Sequence, residues 1–239
     1  MGRLRTTAVA VLLGVGGIFV MVLWVQALAA ALGAVGVTTT PGTPAGELLA
    51  PVATLAGAAS VAAYYLRLSR RGMGFLDIRF PDRRDAAHAA AGLVAIVALA
   101  LATEAVMESV GVAGASHATV ERARTGDAAF LLVLIPAALL FIGPGEELLY
   151  RNLVQKLLAE VFPAWRAIAL TSALFALVHV GVLAAGDSSA AVAASLAVAF
   201  LLSLVLGVVY HRTRNVVVAA LVHGGYDAVV FGALYVQYA

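Results

Sequence analysis

Runs of apolar residues bounded by charge recur along this chain near 7–32, 46–66, 86–107, 128–156, 167–185, 190–210 and 216–236. Each has about the 20-residue length that crosses the hydrocarbon core of a bilayer. In lipid every backbone N–H and C=O must be satisfied internally, so such a run is either a helix or a strand of a closed barrel. A barrel strand alternates polar and apolar residues. These runs are instead continuous in Ala, Val and Leu, with interspersed Gly that permits close helix packing. The sequence therefore predicts an all-α fold, a polytopic transmembrane helical bundle of about seven spans. Composition agrees: 63% of the 239 residues are hydrophobic and 12% charged, against about 25% charged in soluble domains. The absence of cysteine excludes disulfides, thiolate metal sites and a cysteine nucleophile. A formal net charge of +2, with the arginines scattered, gives no footprint for nucleic acid. The partner that composition demands is the lipid bilayer.

Basic residues set the expected orientation, because loops rich in Lys and Arg stay in the cytoplasm. An amino terminus inside and a carboxyl terminus outside puts Arg3, Arg5, the 67–84 group, Arg151, Lys156, Arg166, Arg212 and Arg214 on or toward the cytoplasmic side. Only Arg122 and Arg124 are left outside. The first span, preceded by Arg3 and Arg5 and followed by small residues at 27–31, has the look of a signal sequence, but it is long enough to remain as an anchor. The Arg67–Asp85 connector carries Gly72, Gly74 and Pro81 and no catalytic pattern, and reads as a cytoplasmic loop with membrane-facing arginines. The Thr/Pro/Gly stretch at 38–46 reads as an outer loop.

Ionisable side chains within spans cost roughly 2.5–3.5 kcal/mol each on insertion scales and are functional candidates by default. Here they concentrate in the second half. The fourth span contains Gly143-Pro144-Gly145-Glu146-Glu147 and Arg151, the fifth Phe175 and His179, and the seventh His223 and Asp227. Glu147 and Arg151 are four apart and share a face where they can pair, while Glu146 is rotated by about 100°. His223 and Asp227 are likewise four apart, and Phe175 lies one turn from His179. Taking Lys156, Arg166 and Arg214 as the inner boundary, a rise of 1.5 Å per residue puts Glu146 about 15 Å deep, His179 about 20 Å, His223 about 14 Å and Asp227 about 20 Å. That common level assumes a helix continuous through Gly143-Pro144-Gly145. Glu104 and Glu108, near the outer end of the third span, read as an interfacial rim, and His88, His117 and His211 as surface residues.

The series Glu-Glu-x-x-x-Arg, Phe-x-x-x-His and His-x-x-x-Asp in successive apolar helices resembles the CAAX prenyl endopeptidase and bacteriocin-processing (CPBP, or Abi) family of intramembrane proteases. The resemblance covers residues 128–236. It divides the chain into amino-terminal transmembrane helices with a cytoplasmic loop, 1–127, and a CAAX-protease-like catalytic core, 128–239, within one integral membrane domain. It implies a helical bundle around a hydrated cavity and an endopeptidase cutting a membrane-associated protein or peptide. It also implies roles: Glu146 as general base on a water shared with His179, Glu147 and Arg151 fixing that helix, and His223 with Asp227 stabilising the tetrahedral oxyanion. Prenyl-protein processing members typically have Asn where this chain has Asp227. An ionised carboxylate cannot donate a hydrogen bond, so Asp227 is either protonated, an orienting partner of His223, or a metal ligand. Glu146, His179 and His223 would fill three positions of a site for a divalent metal such as zinc, whereas the helical His-Glu-x-x-His signature is absent. Two other functions fit the same residues: a non-catalytic scaffold or immunity protein on this fold, and a proton-coupled transporter. Against the transporter, no paired inverted repeats are evident.

Overall fold

The computed structural model describes residues 2–112, 118–183 and 188–239, and among these every regular element is helical. The elements are α1 (Arg3–Ala34), α2 (Pro44–Ser69), α3 (Arg83–Ser109), the short α4 (Ala118–Arg124), α5 (Leu131–Ala159), α6 (Ala164–Val178), α7 (Ser189–Thr213) and α8 (Val216–Tyr238). Six of them, α1, α2, α3, α5, α7 and α8, are long and apolar enough to cross a membrane, and α6 is a shorter apolar helix. The chain is an integral membrane protein of about seven apolar helices, as the sequence predicts. The fifth run is the one that differs: its helix ends at Val178 and is followed by one further helical turn, Val180–Leu183.

Polar residues start the helices where the sequence offers them. Thr43 caps α2 by accepting from Gly46 N, with Pro44 in the first turn; Asp82 and Asp85 form a reciprocal capping box on α3. Ser188 caps α7 and Asn215 caps α8. Each cap satisfies a backbone donor that the helix itself leaves unpaired.

Contacts fix two ends of the bundle. At one end, Arg3 lies over the Phe162 ring, Arg71 pairs with Glu160, and Asp77 pairs with Lys156 and Arg214. At the other, Arg122 bonds both oxygens of Glu47, and α8 residues Phe231, Leu234, Tyr235 and Tyr238 pack on Ala123, Ala128, Phe130 and Leu131. Burial alone disfavours the Arg122 cation, yet its hydrogen bonds to the Glu47 and Asp127 carboxylates hold its guanidinium above the ordinary value. The two termini thus lie at opposite ends, because the short α6 still carries the chain across. His117 lies outside the described residues; His88 and His211 are exposed, as are Glu104 and Glu108.

Helix α5 is the centre of the bundle. Its Leu148, Leu149, Leu153, Val154 and Leu157 join one core with α1, α2 and α6, while α3, α7 and α8 pack around Ile96, Leu206, Val209, Val218 and Val222. Glycines set the closest approaches. A Cβ at Gly143 would sit 2.7 Å from Ala220 O, and one at Gly224 only 2.5 Å from Ala138 O, so α5 and α8 touch backbone to backbone. Gly145 meets the backbone of Thr54 and Leu55 on α2 in the same way.

Candidate active site

Pro144 lacks an N–H and its ring presses on the carbonyl one turn earlier. The helix continues through it because the preceding turn, Ala138–Ile142, is wound as a π-helix, which widens the ladder. A second π stretch, Leu148–Gln155, follows the α segment Gly143–Glu147, and all eight of its residues are buried. The acidic pair therefore stands on a single normal turn between two wide ones, at the level where Gly143 meets Gly224 of α8.

Glu147 and Arg151 are both fully buried, at 0% exposure, and pair at 2.9 Å from Arg151 Nε to Glu147 Oε2. Arg151 also donates from Nη2 to Ser203 Oγ on α7 at 3.0 Å, and its guanidinium lies 5.4 Å from the centre of the Phe175 ring. The other oxygen of Glu147 accepts from His223 Nδ1 at 2.9 Å. One carboxylate thus bridges a guanidinium and an imidazole across two helices. Because an ionised carboxylate only accepts, His223 carries its proton on Nδ1 and turns Nε2 the other way.

That second nitrogen faces two more carboxylates, Glu146 Oε2 at 3.8 Å and Asp227 Oδ2 at 3.7 Å, both outside hydrogen-bond range. Glu146 and Asp227 are about one-fifth exposed, in contrast to Glu147. Phe175 walls this space: its ring centre is 4.6 Å from that of His179, 6.0 Å from that of His223 and 5.1 Å, edge on, from that of Tyr150. His179 caps the carboxyl end of α6, and its Nδ1 donates to Phe175 O at 2.7 Å. In the neutral ring that leaves Nε2 as an acceptor.

All seven residues singled out in the sequence, Glu146, Glu147, Arg151, Phe175, His179, His223 and Asp227, thus belong to one neighbourhood. Their pairing differs from the spacing argument in one respect. His223 donates its hydrogen bond to Glu147 on α5, and not to Asp227 one turn along its own helix. Among the described residues no three His, Cys, Asp or Glu side chains converge as metal ligands; the set Glu146, His179 and His223 is not gathered in that way. Two contributors escaped the sequence. Ser203 is a lone hydroxyl in an apolar run, and nothing in its spacing says which helix it faces. Tyr150 supplies the aromatic edge for Phe175 and donates to Gly14 O of α1 at 3.3 Å, a contact visible only once α1 is packed.

Residues 128–229 match the model of a protein family described as type II CAAX prenyl endopeptidase Rce1-like. The resemblance carried by the three motifs holds over this carboxyl-terminal stretch, which includes every residue of the cluster. No curated protein and no solved structure matches the chain.

Proposed function

With its carboxyl-terminal half matching a family of CAAX prenyl endopeptidases, we propose that this chain is an intramembrane endopeptidase that hydrolyses a peptide bond of a membrane-associated protein or peptide. The observation that carries the reading is the bridge through Glu147. By holding both Arg151 and His223 Nδ1, it leaves Glu146, the second imidazole nitrogen and Asp227 as the groups free to act on a substrate.

Peptide hydrolysis needs a base for water, a donor for the developing oxyanion and an acid for the leaving amine. Glu146 takes a proton from a water whose other hydrogen is held by His179 Nε2. The hydroxide attacks the carbonyl carbon, and the negative charge moves to the carbonyl oxygen. His223, already an imidazolium beside Glu147, Glu146 and Asp227 before the substrate binds, donates from Nε2 to that oxyanion, with Glu147 and Asp227 balancing its charge. Glu146 then returns its proton to the amine as the C–N bond breaks. Asp227 serves as an acceptor beside the imidazolium, a task that requires no proton on it. Phe175 packs against both imidazoles and excludes bulk water, which strengthens each electrostatic contact.

The test is comparative proteomics of membranes holding the wild type or Glu146→Ala at equal abundance. An enzyme yields at least one substrate terminus that disappears in the variant, with cleavage reduced on the order of 10²–10⁴-fold. Identical terminus profiles with retained partner capture identify a scaffold instead, and a loss of ion-coupled flux identifies a transporter.

A further inference from the structure

The 70–82 connector, which has no catalytic pattern, is tied into the bundle more densely than an ordinary loop, and four of the ties meet at Asp77. Lys156 Nζ at the end of α5 reaches Asp77 Oδ1 at 2.6 Å. Tyr210 of α7 donates its hydroxyl to Asp77 Oδ2 at 2.6 Å, and Arg214 Nε lies 3.6 Å from the same oxygen. The first backbone N–H of α8, on Val216, donates to the Asp77 carbonyl at 2.8 Å. Lys156 also donates to Phe75 O and lies 4.5 Å from the Phe75 ring centre. One residue outside the helices therefore holds α5, α7 and α8 at a common level.

That level matters for the bridge inside. Lys156 follows Glu147 on α5 by roughly two turns, and Val216 precedes His223 on α8 by roughly two turns. The 2.9 Å bond between Glu147 and His223 depends on how far α5 slides along α8, and Asp77 grips both helices below it. The glycine contact at Gly143 and Gly224 fixes how closely the two approach, but small residues leave sliding free. We infer that Asp77 is a positioning residue: it sets the axial register of α5 against α8 and so keeps His223 Nδ1 on Glu147 and Nε2 toward Glu146. Its catalytic consequence rests on the endopeptidase reading; its structural consequence does not.

The experiment uses the full chain in nanodiscs with ¹⁵N-labelled histidine, the His223 signals being assigned by their loss in His223→Gln. In wild type, His223 Nδ1 gives the signal of a donor hydrogen-bonded to a carboxylate. Asp77→Ala removes or shifts this signal, whereas Asp77→Glu restores it at least in part. Tyr210→Phe, which removes a single tie, gives a smaller shift and serves should Asp77→Ala not fold. A second arm measures the terminus that depends on Glu146: Asp77→Ala lowers its production at least about tenfold, since ångström-scale misplacement of a catalytic group costs up to about 10²-fold. An unchanged His223 signal, with the loop merely becoming open to trypsin at Arg70 and Arg71, overturns the inference. Should no terminus depend on Glu146, the endopeptidase reading fails, and the imidazole signal still decides the role of Asp77.

Discussion

Arg151 and Glu147 sit in a bilayer-spanning helix with no exposed surface, so Arg151 depends on Glu147 for its charge, while Glu147 depends on Arg151 and His223 together. Replacing one partner leaves a buried charge uncompensated, which costs about 3–5 kcal/mol, whereas replacing both by apolar residues is close to neutral for stability. Arg151→Met is accordingly expected to destabilise the protein by about 3–5 kcal/mol, and Arg151→Met combined with Glu147→Leu to recover much of that loss while abolishing cleavage. Thermal unfolding in detergent, read beside the proteomic assay, checks both halves. Equal stability of single and double variants would mean that the pair is not a coupled unit. The i, i+4 spacing made this pair legible in the sequence, since helical geometry alone brings the two groups together. It did not reveal the hydrogen bond from His223, because a partner on another helix follows from packing and from no local period.

Helix α5 is kept continuous by a local device, and its place against α8 by the absence of side chains. The π turn at Ala138–Ile142 absorbs the Pro144 defect, so the helix runs unbroken into the acidic pair. Gly224→Ala introduces a methyl group 2.5 Å from Ala138 O, and backbone has little freedom to yield there. The expected cost is about 1–3 kcal/mol, with α8 pushed outward and the Glu147–His223 bond lost. A lower unfolding temperature together with the change in the His223 ¹⁵N signal tests this, whereas Gly232→Ala, with open space around it, leaves both unchanged. Six of the seven apolar runs gave long helices as their hydropathy implies. The fifth is interrupted near its end: hydropathy persists beyond Val178 while the helix breaks there, with His179 donating back to Phe175 O and one further helical turn, Val180–Leu183, following. Apolar content measures affinity for lipid and is blind to where a side chain takes over a helical carbonyl.

For the whole molecule, the two ends differ in charge, and the positive-inside rule turns that asymmetry into an expected orientation. The end bearing Arg3, Arg71, Arg79, Lys156 and Arg214 is predicted to face the cytoplasm and Tyr238 the outside. Because the chain has no cysteine, single cysteines report this directly. Thr125→Cys is expected to react with an impermeant maleimide on intact cells, and Met73→Cys only after the membrane is opened; the reverse pattern would refute the assignment. The sequence by itself determined the bilayer as solvent, the helical class and the ionisable residues that stand out within the spans, because hydrophobic length, helical period and the cost of buried charge are all properties of a segment alone. Tertiary structure alone decided that Glu147 and not Asp227 grips His223, that Phe175 packs against both imidazoles, and that a plain loop pins three helices through Asp77. Each of these depends on the rotation and sliding of one helix against another, which are set by glycine contacts and cross-helix hydrogen bonds between residues far apart in the chain.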